Sequence, residues 1–284
     1  MASPVLVLFL LISVYAGLII YNRLQEGDPL LTSYLIQMVV LLLILCSALI
    51  VSHPFSTWFW GILSFLALRE FLSLTDLRLQ DRIGVLFAYL SIPFMMTFIY
   101  SHWYTMFIIT IPVYSFLVIP LGITLGGRPA DGAVFSIGVI DLGLFLLVFC
   151  MGHLAFLSYY TLWLAVALVL NTTVSELLSR MIQPYLNRKS ICICVQAILP
   201  MPFTVLITAM LADWIHIPYI HAVIIGLIIP VMVALGNHAV GYLELDLRIE
   251  PDLLKPGCGL LIHDLKAVLY TAPIVLHYYR YFIL

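Results

Sequence analysis

Residues 34–52 read YLIQMVVLLLILCSALIVS, nineteen positions without a single charged side chain. A helix needs roughly 20 apolar residues to cross the hydrocarbon of a bilayer, so this run is long enough to span. The rest of the chain repeats the pattern. Of 284 residues, 64% are hydrophobic and 9% charged. A water-soluble domain of this length carries charge on about a quarter of its residues, so lipid is the solvent this composition fits. The net charge of −2 supplies no basic field for nucleic acid. Of the five cysteines, Cys46, Cys150, Cys192 and Cys194 lie in apolar runs and read as small buried hydrophobes; Cys258 does not. The opening segment, from about Pro4 to Ile20, lacks the basic n-region and cleavage site of a signal peptide and reads as a first span.

Extending the reading outward gives ten spans, near 4–21, 34–52, 56–70, 83–100, 103–124, 133–154, 160–178, 191–212, 217–241 and 262–282. The third is short and ends on Arg69 and Glu70, so lying in the interface is its alternative. Pro93, Pro112, Pro120, Pro200, Pro202, Pro230 and Pro273 fall inside spans, where they predict kinks. The fold class expected is therefore all-α, a single polytopic bundle of nine or ten helices over residues 1–284. Positive charge tests this map. Eleven of the twelve basic residues fall on alternate loops, and Arg280 alone lies toward the other side. The positive-inside rule places those loops in the cytoplasm and both termini outside. A bacterial inner membrane is the expected location.

Three cytoplasmic loops, 125–132, 179–190 and 242–262, are the places to look for a site, because loops carry function more often than spans do. The first contains GGRPADG at 126–132, a turn by composition and not a phosphate loop. The last begins YLELDLRIEPDLLKPGCG, and His238, Glu244, Asp246, Cys258, His263 and Asp264 cluster on that side. No pair among them has a zinc spacing, so no metal ligand is assigned. Asp246, Glu250, Asp252 and Asp264 carry the carboxylates that a magnesium-dependent phosphoryl transfer requires, or are an ordinary solvated loop. Inside the membrane, Asp141 stands in mid-span, where an ionisable group costs about 2.5–3.5 kcal/mol and marks a functional candidate or a satisfied interior group. Thr172, Ser175, Glu176 and Ser179 share one helix face, as packing glue or as part of a site. His153, His216 and His221 read as interfacial residues near the uncharged side.

The C-terminal run KPGCGLLIHDLKAVLYTAPIVLHYYRYF resembles the end of the phosphatidate cytidylyltransferase (CDP-diacylglycerol synthase) family. Pro256, Gly257 and Gly259 match the Pro-Gly and a later Gly of that family's cytoplasmic signature, and Ala272-Pro273 match the Ala-Pro of its last span. Gly236-Asn237 stands where the family has Gly-Asp. FWGILSFLALREF and NTTVSELLSRMIQPYLNRKS resemble two upstream segments, the second ending near Arg188 and Lys189. The departures are as informative. Cys258 replaces the signature histidine, Glu244 and Leu245 replace a Lys-Arg pair, and His263-Asp264-Leu265-Lys266 stands in place of Asp-Arg-x-Asp. An apolar ICICVQAILPMP replaces a Ser-Pro-x-Lys-Thr segment.

Cytidylyl transfer joins two phosphate-bearing anions and needs divalent metal and basic side chains. The resemblance therefore implies a diverged relative with an impaired catalytic set, acting as a lipid-binding or partner subunit in phospholipid metabolism. It also implies a homodimer, or a heterodimer with an active relative. In the alternative, an active enzyme uses Mg2+ with Asn237, Asp246, Asp252 and Asp264 as catalytic candidates. Arg188, Lys189, Lys255, Gly257, Cys258 and Gly259 then bind substrate. A transporter that uses Asp141 is a third reading.

Overall fold

The computed structural model describes residues 4–78, 81–124, 130–182, 189–249 and 259–284. Among them every regular element is helical. The chain forms α1 (Pro4–Leu24), α2 (Pro29–Ile50), α3 (His53–Ser73), α4 (Arg82–Tyr100), α5 (Tyr104–Thr124), α6 (Ala133–Tyr160), α7 (Leu162–Ile182), α8 in two pieces (Lys189–Ile198 and Met201–Ile215), α9 (Tyr219–Asp246) and α10 (Leu260–Phe282). Nine of these are long and apolar enough to cross a membrane, with mean hydropathies from 1.3 to 2.5. The protein is a multi-pass membrane protein.

The helix lengths follow from local chemistry. Asp28 caps α2, its carboxylate accepting from the Leu30 amide at 2.9 Å, with Pro29 in the first turn. Pro93, Pro120, Pro230 and Pro273 sit within continuous helices. Pro112 falls in a π-turn over Thr110–Ser115, and a second π-turn covers Leu144–Phe149. Pro200 and Pro202 break α8 in two, where the sequence led one to expect only a kink. The break leaves a ten-residue piece, Lys189–Ile198, that lies against α9.

The two ends of the bundle differ chemically. At one end meet the loop after α1, the end of α3, and the starts of α2, α4, α6 and α10. Asp28 pairs with Arg180, the Ser33 hydroxyl donates to Asp264, and the Leu261 amide approaches the Glu70 carboxylate at 3.4 Å. Arg78 binds Asp81 at 2.8 Å and the Asp131 carbonyl, tying the loop after α3 to the start of α6. The other end is aromatic. His102 stacks on Tyr159 at 3.6 Å, His53 meets the same ring edge-on, and Trp163 packs against Trp214. These residues fit an interfacial belt.

This geometry decides the third span. α3 begins beside Tyr159 at the aromatic end and finishes with Glu70 beside α10 at the basic end. Its 21 residues reach about 31 Å. It runs the length of the bundle and does not lie flat. Trp60, Ser64, Ala67 and Leu68 are fully buried along it.

A second difference concerns the loop expected at 242–262. Tyr242–Asp246 continue α9, so the helix extends beyond the apolar run that defined the span. Hydropathy marks where lipid ends, whereas a helix ends where its capping and packing end. α7 likewise runs on to Ile182, past the expected 178. α6, α7 and α10 form the buried centre, and α1 is the most peripheral helix.

Candidate functional site

At the basic end a cleft of about 580 Å³ opens between α7, α9, α10 and the first piece of α8. Each wall is set by helical spacing. Glu176 and Arg180 lie one turn apart on α7, Asn237, Gly241 and Glu244 share a stripe of α9, and His263 and Lys266 lie one turn apart on α10. Two of its walls are in close contact. A Cβ added to Gly236 would meet Tyr270 Cβ at 2.8 Å and the Lys266 carbonyl at 3.2 Å, so α9 and α10 touch at that glycine.

Two hydrogen-bonded networks line the cleft. In the first, Asn237 Nδ2 donates to Glu176 Oε2 at 2.6 Å, and Arg180 Nε donates to Glu176 Oε1 at 3.1 Å. Arg180 also pairs with Asp28 at 3.5 Å and lies over the Tyr34 ring at 5.4 Å. In the second, Lys266 Nζ donates to both oxygens of Glu244 at 3.2 Å, and His263 Nδ1 lies 3.0 Å from Glu244 Oε1. Glu244 and Lys266 are both buried, at 9% and 8% exposure, so the ion pair and the His263 contact stand in for lost water. Together Asp28, Glu176 and Glu244 face Arg180 and Lys266, and both cations are engaged by carboxylates.

Several polar atoms remain without partners. Asn237 Oδ1, Ser175 Oγ and Ser179 Oγ are buried and make no hydrogen bond. Orphaned buried groups are uncommon in folded proteins and mark water or ligand positions. The polar face of α7 read from the sequence is real. Asn171, Thr172, Thr173, Ser175, Glu176 and Ser179 are all buried. Part of it serves packing. Thr173 accepts from Tyr15 of α1, and Asn171 donates to Thr208 of α8. Glu176 and Ser179 reach the cleft.

The sequence-derived candidates fall in different places. Asn237 is in the cleft. Asp264 is fully buried behind it, accepting from Ser33 of α2 at 2.6 Å with Oδ1 unpartnered. Asp246 is exposed on another face of α9 and lines a separate groove of about 360 Å³ with Thr75, Asp76 and Arg248. These three do not converge, and no cluster of three metal-ligating His, Cys, Asp or Glu occurs among the described residues. Gly259 starts α10 at φ +92°, with Ile249 as close as 2.6 Å to where a Cβ would be. Only glycine fits there, so its role at the start of α10 is conformational. Asp252, Arg188, Lys255, Gly257 and Cys258 lie outside the described residues; Lys189 opens α8. Arg180 and Lys266 are site residues that the sequence reading did not nominate. Their signal is present in the i,i+4 pair Glu176/Arg180 and the i,i+3 pair His263/Lys266.

Comparison with known proteins adds one relative. The chain is 23% identical over 267 residues to the uncharacterized protein YnbB of Escherichia coli (strain K12), covering 84% of each protein. No family model matches the chain. No solved structure matches it either.

Proposed function

We propose that this protein is a phosphatidate cytidylyltransferase-like membrane protein of phospholipid metabolism that binds a phosphate-bearing lipid but has lost most of the usual catalytic set. Pairing with itself or with an active relative belongs to this reading. Its support is the resemblance in layout, together with a polar cleft at the membrane boundary, where a lipid head group can meet protein charges.

The observation that carries it is the closed Glu244–His263–Lys266 network. Lys266 stands at a signature aspartate position, and its ammonium binds the neighbouring carboxylate instead of vacating the site for a metal. A carboxylate bridged to lysine is a poor ligand for hydrated magnesium, and a salt-bridged lysine is a poor counter-ion for a triphosphate. A lipid phosphate makes a smaller demand. It needs one cation to exchange its carboxylate for a phosphate oxygen, with Asn237 and Ser179 to complete the contacts.

Two titrations of the full-length protein in nanodiscs test this. CTP with magnesium should give no heat in the micromolar range and no CDP-diacylglycerol, whereas phosphatidate should bind and Lys266→Met should weaken it about tenfold. Turnover of CTP would remove the reading of lost catalysis. Failure of phosphatidate to bind would remove the lipid reading.

A second reading has one observation in its favour. Asp264 keeps a buried carboxylate oxygen without a partner, which suits an enzyme with altered site residues and Mg2+ as its cofactor. In that case Asp264→Asn abolishes CTP-dependent synthesis, and unchanged synthesis refutes it.

A further inference from the structure

The aromatic end holds a second cleft, of about 560 Å³, against the outer part of α10. Its one charged wall residue is Arg280, the single basic residue that the alternation of loops leaves on this side.

Arg280 is held by a chain of rings. His153 is fully buried, and its Nδ1 lies 2.7 Å from the Phe149 carbonyl. A carbonyl only accepts, so Nδ1 carries the proton and Nε2 carries a lone pair. His277 Nε2 faces that lone pair at 3.3 Å and is therefore the donor. Its Nδ1 is then an acceptor, and the Tyr104 hydroxyl donates to it at 2.9 Å. This fixes the Tyr104 ring, and the Arg280 guanidinium lies over its face, 3.5 Å from the centroid. Arg280 also donates to the Tyr160 hydroxyl. Every recorded partner of this cation is neutral. No Asp or Glu side chain of the described residues lies within ion-pairing distance of it, and Asp213, at the same end, accepts from Tyr219. The charge is thus preorganised and uncompensated, which favours an anion.

The walls say which anion. Ile274, Tyr278 and Phe282 are spaced by four on α10 and line the same cleft, which wraps round the helix from Arg280 to this apolar edge. Ile274 and Phe282 are exposed. A free inorganic anion makes no use of this edge, whereas an amphiphile does.

We propose that this cleft binds an anionic phospholipid of the leaflet opposite the basic loops, with its phosphate on Arg280 and an acyl chain along Ile274, Tyr278 and Phe282. His153, His277 and Tyr104 are positioning residues that hold the guanidinium. The site is separate from the cleft at the basic end and does not depend on what that cleft binds.

The test uses the full chain in detergent with equal amounts of phosphatidylglycerol and phosphatidylcholine, the retained lipids being counted by native mass spectrometry. Wild type should keep one phosphatidylglycerol in preference to phosphatidylcholine, and Arg280→Gln should weaken that binding about tenfold. Equal retention of the two lipids by wild type, or an unchanged preference in Arg280→Gln, would overturn the proposal. Displacement of the retained lipid by millimolar inorganic phosphate would overturn the lipid assignment and leave a simple anion site. Photo-crosslinking of wild type with a photoactivatable phosphatidylglycerol gives an answer that no variant's folding can confound. Labelled peptides from 274–282 support the site, and labelling confined to other helices refutes it.

Discussion

At Lys266 an ammonium group lies 3.2 Å from both oxygens of Glu244, in a place where neither partner has much access to water. Removing one member of such a pair costs more than removing both, because the survivor is left charged and desolvated. Lys266→Met should therefore destabilise the protein by about 3 kcal/mol. Adding Glu244→Gln should recover most of that loss, since the amide carries no charge to strand. Detergent-induced unfolding of the single and double variants measures the coupling, and additive losses would show that the pair is not an energetic unit. The two residues are 22 positions apart, and nothing in the local sequence announces their meeting. What was legible was the company they keep: Asn237, Glu244, His263 and Asp264 all stood out as polar residues at the edge of apolar runs. What was not legible was which way each one faces. Asp246 is two residues from Glu244, and on a helix that offset of about 200° sends it to another groove. Asp264 is one residue from His263 and faces α2 instead of the cleft.

The helices themselves were readable because apolar length is a direct physical requirement of the bilayer, and the prolines were readable as perturbations of them. Their compensation was not. Pro230 has no amide hydrogen, so the carbonyl of Gly226, one turn earlier in α9, loses its helical donor. The Thr204 hydroxyl of α8 supplies the missing bond to that carbonyl at 2.7 Å. The helices come close enough because residue 226 is glycine; a Cβ there would lie 2.6 Å from the Val205 backbone. This arrangement predicts an interaction between distant substitutions. Thr204→Val keeps the shape but strands the Gly226 carbonyl, and should cost about 1–2 kcal/mol. Pro230→Ala restores an amide donor within α9, so in that background Thr204→Val should cost little. Equal penalties in the two backgrounds, read from the same unfolding assay, would show that the hydroxyl does not serve that carbonyl.

For the whole molecule the charge pattern and the packing make one joint claim about topology. The alternation of basic loops requires an even number of crossings between the loop at 22–33 and the loop at 69–82, and only α2 and α3 are available to make them. α3 fails the hydropathy standard that the nine other spans meet, because Arg69 and Glu70 interrupt its C-terminal part. Composition alone therefore left a flat, interfacial α3 open. Packing closes that question, since one end of α3 touches Tyr159 and the other touches α10 beside Leu261. Glu70 itself is buried, at 5% exposure, at the protein-lined end of the helix, so its charge does not meet lipid. The consequence is directly measurable in intact cells or oriented vesicles. In a chain whose native cysteines are replaced, single cysteines at Ser52 and at Asp76 should react with a membrane-impermeant maleimide from opposite sides. The residue 52 site should share its side with one at His102, and the residue 76 site with one at Gly27. If residues 52 and 76 label from the same side, α3 does not cross, and every later helix must be inverted relative to the basic loops. The charge alternation would then stop at α3, and the contacts of Asp28 with Arg180 and of Ser33 with Asp264 could not form.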